Sequence, residues 1–233
     1  MKRILAIGDL HGSDLWKYVI LHYEQDQPLD QIIFMGDYVD SFHFDNITIL
    51  HNLNNLIQYK KENMDKVILL WGNHDIQYLM PDLKYRCSGF RVEAYPALYS
   101  IFNEHYDLFE LAYQYKNYLF THGGLSTYIF KELKLTKEDL PNLAECLNMA
   151  FKYRDDNIFK VGVRRSGWYR TGGPLWCDKH ELEAYPVNNL YQIVGHTAIK
   201  NIKIHEKHTS QMDFKLYFID CLAPTGDGLL IEI

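Results

Sequence analysis

Gly8-Asp9-Leu10-His11-Gly12 follows an apolar run at 3–7, and the same arrangement recurs along the chain. Residues 31–35 run into Gly36-Asp37-Tyr38-Val39-Asp40, and 66–71 into Gly72-Asn73-His74-Asp75. Residues 118–120 lead to Thr121-His122-Gly123-Gly124, and 190–194 to Gly195-His196-Thr197. Short runs rich in Ile, Leu, Val and aromatics that stop at glycine read as buried strands delivering loops. Helical spacing lies between them. Ser13 is placed to cap a helix carrying Leu15, Tyr18, Val19 and His22, and 46–61 carries Ile47, Leu50, Leu53, Leu56 and Ile57. Strand followed by helix, repeated, predicts an α/β domain.

Outward from these motifs the pattern changes. Residues 81–115 are rich in Tyr, Phe and Glu, break the strand–loop rhythm, and are expected to form a small helical insert. Their aromatics suit a helix core, with nucleobase stacking the other use open to them. The stretches 201–205, 215–219 and 229–233 are strand-like and are expected to close a second sheet with antiparallel strands. A length of 233 residues fits one domain spanning 1–233.

Composition excludes several classes. With 47% hydrophobic residues the chain has ample material for a core. A net charge of -6 gives no global signal for nucleic acid. Cys87, Cys146, Cys177 and Cys221 contain no C-x-x-C pair and are too widely spaced for a disulfide framework, which points to reduced thiols. The first apolar run is too short for a secretory signal, and no stretch approaches the roughly 18 apolar residues of a membrane span. A cytoplasmic protein without membrane association is expected, and its oligomeric state is left open.

The polar clusters all sit just after strands, where α/β sheets bind ligands. Asp9, His11, Asp37, Asn73, His122 and His196 are therefore expected on one face. Two carboxylates, one amide oxygen and three imidazoles suit two divalent transition metals. Asp37 is the natural bridge, since a carboxylate offers one oxygen to each ion. Metals about 3.5–4 Å apart share a water, lower its pKa and aim the hydroxide at phosphorus.

The ordered motifs G-D-L-H-G, G-D-Y-V-D, G-N-H-D, T-H-G-G-L-S and G-H-T resemble those of the calcineurin-like metallophosphoesterase superfamily. His122-Gly123-Gly124-Leu125-Ser126 and Leu175-Trp176-Cys177-Asp178 resemble its phosphoprotein-phosphatase branch, which also holds symmetrical diadenosine tetraphosphate hydrolases and bacterial phosphatases. The resemblance implies a four-layer α/β/β/α sandwich, two sheets face to face with helices outside. It implies that Asp9 and His11 hold one metal, Asp37 bridges, and Asn73, His122 and His196 complete the second. His74 would protonate the leaving oxygen, with Asp40 fixing its imidazole.

The departures from that pattern lie around the phosphate. Where the family continues with Arg-Gly after G-D-Y-V-D, this chain has Ser41-Phe42, and an expected arginine after G-N-H is Gln77. Arginine's planar fork matches phosphate, and Ser or Gln does not replace it. Arg164, Arg165 and Arg170, in one loop, are the replacement candidates, as is Arg154, with Arg165 and Arg170 the ones assigned to the phosphate. Of the remaining histidines, read as surface residues, His43 lies nearest a motif.

The expected function is a dimetal phosphoesterase acting on phosphomonoesters, phosphoprotein among them. The ions would be Mn, Fe, Zn or Co, with manganese favoured. Substrates would be phosphorylated small molecules, nucleotides or phosphoproteins. The alternatives are hydrolysis of a dinucleoside polyphosphate or other phosphodiester, and a non-catalytic binding scaffold on the same fold.

Overall fold

The computed structural model describes residues 1–80 and 86–233. The chain begins with β1 (Arg3–Ile7), α1 (Trp16–Glu24), β2 (Gln31–Phe34), α2 (Asn46–Glu62), β3 (Val67–Leu70) and the one-turn α3 (Asn73–Ile76). Helix α4 (Tyr95–Glu104) and β4 (Phe109–Glu110) follow. Next come β5 (Ala112–Tyr115), β6 (Tyr118–Thr121), α5 (Thr127–Glu132), α6 (Leu143–Lys152), α7 (Lys179–Ala184), β7 (Leu190–Val194), β8 (Lys203–His208) and β9 (Asp213–Phe218). The chain ends with α8 (Leu222–Thr225) and β10 (Leu229–Glu232). Contacts divide it into two compact units, Met1–Glu110 with Cys221–Ile233, and Leu111–Asp220. Each unit is built on one mixed five-stranded sheet, which places the chain in the expected α/β class.

The first unit has the strand order β10-β1-β2-β3-β4. Strands β1 to β4 run parallel and β10 joins β1 antiparallel, with Leu5 opposite Leu230. Ile4 to Ile7 and all four residues of β2 are buried, as strands covered on both faces require. The predicted strand at 229–233 thus exists but completes the first sheet, not the second. Its short apolar pattern fits either edge, and periodicity does not encode a partner. Helix α2 starts as its spacing predicts, capped by Asp45, whose carboxylate accepts the Thr48 N–H at 2.8 Å. Helix α1 begins three residues later than Ser13. The Ser13 hydroxyl accepts the Leu15 N–H at 3.2 Å, forming a turn ahead of the helix instead of capping it.

Part of the expected insert, 81–85, lies outside the described residues. The remainder holds α4 and then the short strands β4 and β5. Its rings pack inward: Tyr78 stacks on Phe90 at 4.9 Å, and Trp71 on Phe109 at 4.4 Å. Tyr78, Leu98 and Phe102 are buried.

The second unit has the order β5-β6-β7-β9-β8, parallel at β6–β7–β9 and antiparallel at both edges. Leu143, Leu147 and Phe151 form the buried stripe of α6, at the four-residue spacing of one helix face. Asn148 on the same helix serves the start of β5. Its side-chain oxygen accepts the N–H groups of Leu111 and Ala112 at 2.9 and 3.0 Å. A core of Cys177, Leu182, Val194, Phe214, Leu216 and Phe218 lies beside β7 and β9.

Candidate metal centre

In the first unit, three strand ends deliver side chains to one place. The loop after β1 is zipped to the loop after β2, because the Leu10 and His11 N–H groups both donate to the Asp37 carbonyl, at 3.0 and 2.9 Å. Gly12 N–H donates to the Tyr38 carbonyl at 2.8 Å. His11, Asp37 and Asp40 all sit in the left-handed region, at φ of 44°, 54° and 64°. Non-glycine residues adopt that conformation only where surrounding bonds enforce it. Gly36 and Gly72 make the approach feasible. A Cβ on Gly36 (φ 99°) would lie 2.6 Å from the Gly72 nitrogen, and one on Gly72 would overlap the Asp37 carboxylate.

Asp75 is the hub beneath this arrangement. Its buried carboxylate accepts N–H groups from Asp37 (2.7 Å), Tyr38 (2.8 Å) and Gly72 (3.1 Å). The Asp37 side chain is aimed in turn: Oδ1 accepts the His74 N–H at 2.9 Å. Asp9, His11 and Asp37 bring ligand atoms within 4.8 Å of one another. His11 Nδ1 bonds the Val39 carbonyl at 2.9 Å, which fixes the tautomer that leaves the Nε2 lone pair facing Asp37 Oδ2, 4.0 Å away. Asn73 Nδ2 donates to Cys87 Sγ at 3.0 Å, which orients the amide so that its oxygen is the remaining donor atom.

His74 and Asp40, expected as an acid and the carboxylate that orients it, are brought together. His74 Nδ1 lies 3.0 Å from Asp40 Oδ2, and the His74 ring stands edge-on to His11 at 5.2 Å between centroids. Asp40 is almost fully buried and also accepts from the Gln77 amide and the Tyr78 hydroxyl. Burial pushes the Asp40 carboxyl up, while the bonds from His74 and Tyr78 pull it back. For His74, burial disfavours the imidazolium, but the Asp37 charge and the Asp40 hydrogen bond outweigh it and lift the pKa to about 9. Without metal, these contacts favour the imidazolium at neutral pH.

Gln77, which replaces an expected arginine, is fully buried. It ties Asp40 to the His74 carbonyl (3.2 Å) and to the Cys87 N–H (2.8 Å). Tyr78 and Arg91, both unmarked in the sequence, complete the support: Arg91 N–H donates to the Tyr78 hydroxyl at 3.0 Å. An acidic residue at the third position of the turn after β3 was the one available signal for Asp75.

The second unit brings together two more predicted residues. His122 follows β6 and His196 follows β7, and both are buried. His122 Nε2 and His196 Nδ1 lie 3.1 Å apart, and the Gly195 N–H donates to the His122 carbonyl at 2.9 Å. His196 is also left-handed, at φ 65°. Arg165 braces it. The guanidinium donates to the His196 carbonyl (3.2 Å) and the Thr197 hydroxyl (2.7 Å), and its Nε lies 3.0 Å from Asp178 Oδ2. Arg170 is exposed, stacks over Tyr128 and Tyr185 at 4.6 and 5.0 Å, and donates to the Tyr185 hydroxyl at 2.8 Å. Both arginines thus have protein partners. Cys177 is buried, and burial with the nearby Glu181 and Asp178 charges holds its thiol well above the usual range.

These residues fit a divalent metal. Asp9 and Asp37 are buried carboxylates placed with one tautomer-fixed imidazole, a negative cluster that a divalent ion neutralises. His122 and His196 direct ring nitrogens at each other, the donor type that borderline metals take. Among the described residues, no helix is long and apolar enough to cross a membrane.

Comparison with known proteins agrees with this chemistry. The family model for calcineurin-like phosphoesterases matches residues 2–200. A serine/threonine-protein phosphatase of Caenorhabditis elegans is 29% identical over 168 residues, which cover 69% of this chain and 34% of that protein. The chain thus spans about a third of the length of this distant homologue. The crystal structure of a metallophosphoesterase from Sphaerobacter thermophilus aligns with a TM-score of 0.40 and 10% identity, covering 93% of this chain and 75% of that one. With five motifs in order and a family match over most of its length, the chain belongs to the calcineurin-like phosphoesterase family.

Proposed function

We propose that the protein is a metal-dependent phosphatase that hydrolyses phosphomonoesters, phosphoprotein among them. The observation that carries this reading is the His74–Asp40 pair set edge-on against His11, within the Asp9–His11–Asp37 ligand set. The family implies phosphoester substrates.

Asp9 and His11 would hold one ion, Asp37 would serve both, and Asn73, His122 and His196 would hold the other. In this proposal residues 1–233 form one functional domain. Mixed oxygen and nitrogen donors suit manganese, the favoured ion, as well as iron, zinc or cobalt. When bound, such ions supply Lewis acidity and an activated water.

The chain supplies the rest. Asp40 accepts a hydrogen bond from the Nδ1–H of the His74 imidazolium, which leaves the Nε2 proton to be donated to the leaving oxygen. Asp75 holds the Asp37 backbone so that its carboxylate does not reorganise. Arg165 and Arg170 are the cations assigned to the phosphate, and Arg165 doubles as the brace of His196. Four free cysteines agree with a reducing, cytoplasmic setting.

The test is product release from an aryl phosphate, an aryl phosphodiester, a phosphopeptide and diadenosine tetraphosphate, with and without manganese. Manganese-dependent release from the monoesters supports the reading. Release from the diester or the tetraphosphate alone replaces it with the phosphodiesterase alternative. Bound metal with no release from any ester favours a binding scaffold.

A further inference from the structure

We infer that Phe42 is a platform for a planar ring on the leaving group, so that the site selects phosphoesters whose alcohol carries an aromatic or heteroaromatic ring. This rests on the proposed phosphatase reading for the position of the leaving oxygen. It goes beyond it in naming the leaving group's chemistry.

Phe42 is 78% exposed and lies two residues after Asp40. Its ring reaches back toward that residue: a Cβ on Gly89 would lie 3.3 Å from Phe42 Cζ and 3.7 Å from Asp40 Cβ. Gly89, at φ 86°, is therefore the clearance that admits the ring. Phe44 stands on the other side of the loop, 3.5 Å from where a Gly12 Cβ would be, next to His11. The two rings flank the strand ends that carry the ligand set and the acid pair.

The loop that presents them is fixed. The Ser41 hydroxyl accepts the N–H groups of His43 (3.0 Å) and Phe44 (3.2 Å). The Arg91 guanidinium donates to the Phe44 carbonyl (2.8 Å), to Asn46 Oδ1 (2.6 Å) and to the Ser41 carbonyl. Arg91 also donates its N–H to Tyr78, whose hydroxyl bonds Asp40. One set of bonds thus locks both the carboxylate that orients the acid and the loop that exposes Phe42.

A single exposed aromatic needs no explanation. A hydrogen-bonded loop that presents one near Asp40, the carboxylate paired with His74, is different. In the proposal the leaving oxygen meets His74 and the group it carries extends toward this loop. This loop offers a ring face and no arginine of its own, since Ser41 stands where the related motif has one. A preformed platform captures a flat ring without the entropy of ordering a loop.

The experiment compares kcat/KM of the manganese-loaded protein for adenosine 5'-monophosphate and ribose 5-phosphate, whose leaving alkoxides match. Phenyl phosphate forms a second arm. Phe42→Ala is expected to lower the ratio for the ring-bearing ester by roughly 5- to 100-fold, the span of one base–aromatic stack, and Phe42→Tyr to restore it. An effect on the nucleotide arm assigns a nucleoside leaving group, and an effect on phenyl phosphate alone assigns an aryl one. Equal losses on all three esters overturn the inference. Where no ester turns over, adenosine and phenol are titrated into the loaded protein by NMR. Binding that Phe42→Ala weakens at least about five-fold keeps the platform while the phosphatase reading fails. Absent binding, or binding indifferent to Phe42, overturns it.

Discussion

The Asp75 carboxylate holds the backbone on which Asp37 stands, taking the Asp37 N–H on one oxygen at 2.7 Å and the Tyr38 N–H on the other at 2.8 Å. Asp37 is left-handed at φ 54°, a conformation these bonds help to enforce. Asp75→Asn places an amide N–H₂ against backbone donors in a fully buried position. It is expected to cost about 1–3 kcal/mol in urea unfolding and to weaken manganese binding measured by calorimetry. Unchanged binding would remove Asp75 from the support of the centre.

His74→Asn removes the proposed proton donor and the imidazole's bond to Asp40. On an alkyl phosphate kcat is expected to fall by about 10²- to 10⁴-fold. On an aryl phosphate with a good leaving group the loss is smaller, because that oxygen departs without protonation. Equal losses on both esters, with metal retained, would argue against the acid role.

In metal-free protein the His74 imidazole is expected to titrate near 9, well above its ordinary value of 6.5. Burial alone would lower it, and the Asp37 charge with the Asp40 bond reverses that direction. A histidine raised on folding contributes stability in full below pH 6.5 and loses it as pH rises through about 9. NMR of the ring Cε1–H follows the titration, and Asp40→Asn should move it down.

Much of this site is legible in the sequence, because glycine-flanked Asp, His and Asn after apolar runs report strand ends directly. The Asp37, His74 and His122 loops fall where those runs stop. What was hidden depends on pairing across distance. Strand β10 carries no mark that it pairs with β1 and not with the second sheet. Arg91 serves the carbonyl of Ser41, fifty positions earlier, in a stretch whose aromatics obscure it. Gln77 reads as a missing arginine, yet its amide joins Asp40, His74 and Cys87. A local pattern reports what a residue is beside in sequence, and these roles are set by what it meets in space.

Arg165→Ala removes the donors to the His196 carbonyl and Thr197 hydroxyl. Manganese affinity is expected to fall about 10- to 100-fold, the usual effect of losing an outer support of a ligand, together with lower kcat/KM. Arg170 stacks on Tyr128 and Tyr185 at the surface, so Arg170→Ala should raise KM for a phosphomonoester and leave metal affinity alone. Identical effects of the two substitutions would contradict this division.

The most direct test strips the protein of metal, restores manganese in steps, and follows bound ion and phosphomonoester hydrolysis in the same samples. Two manganese ions per chain are expected, with hydrolysis rising as the second site fills and collapsing on chelation. Hydrolysis that persists without metal, or a chain that binds no divalent ion, would contradict it.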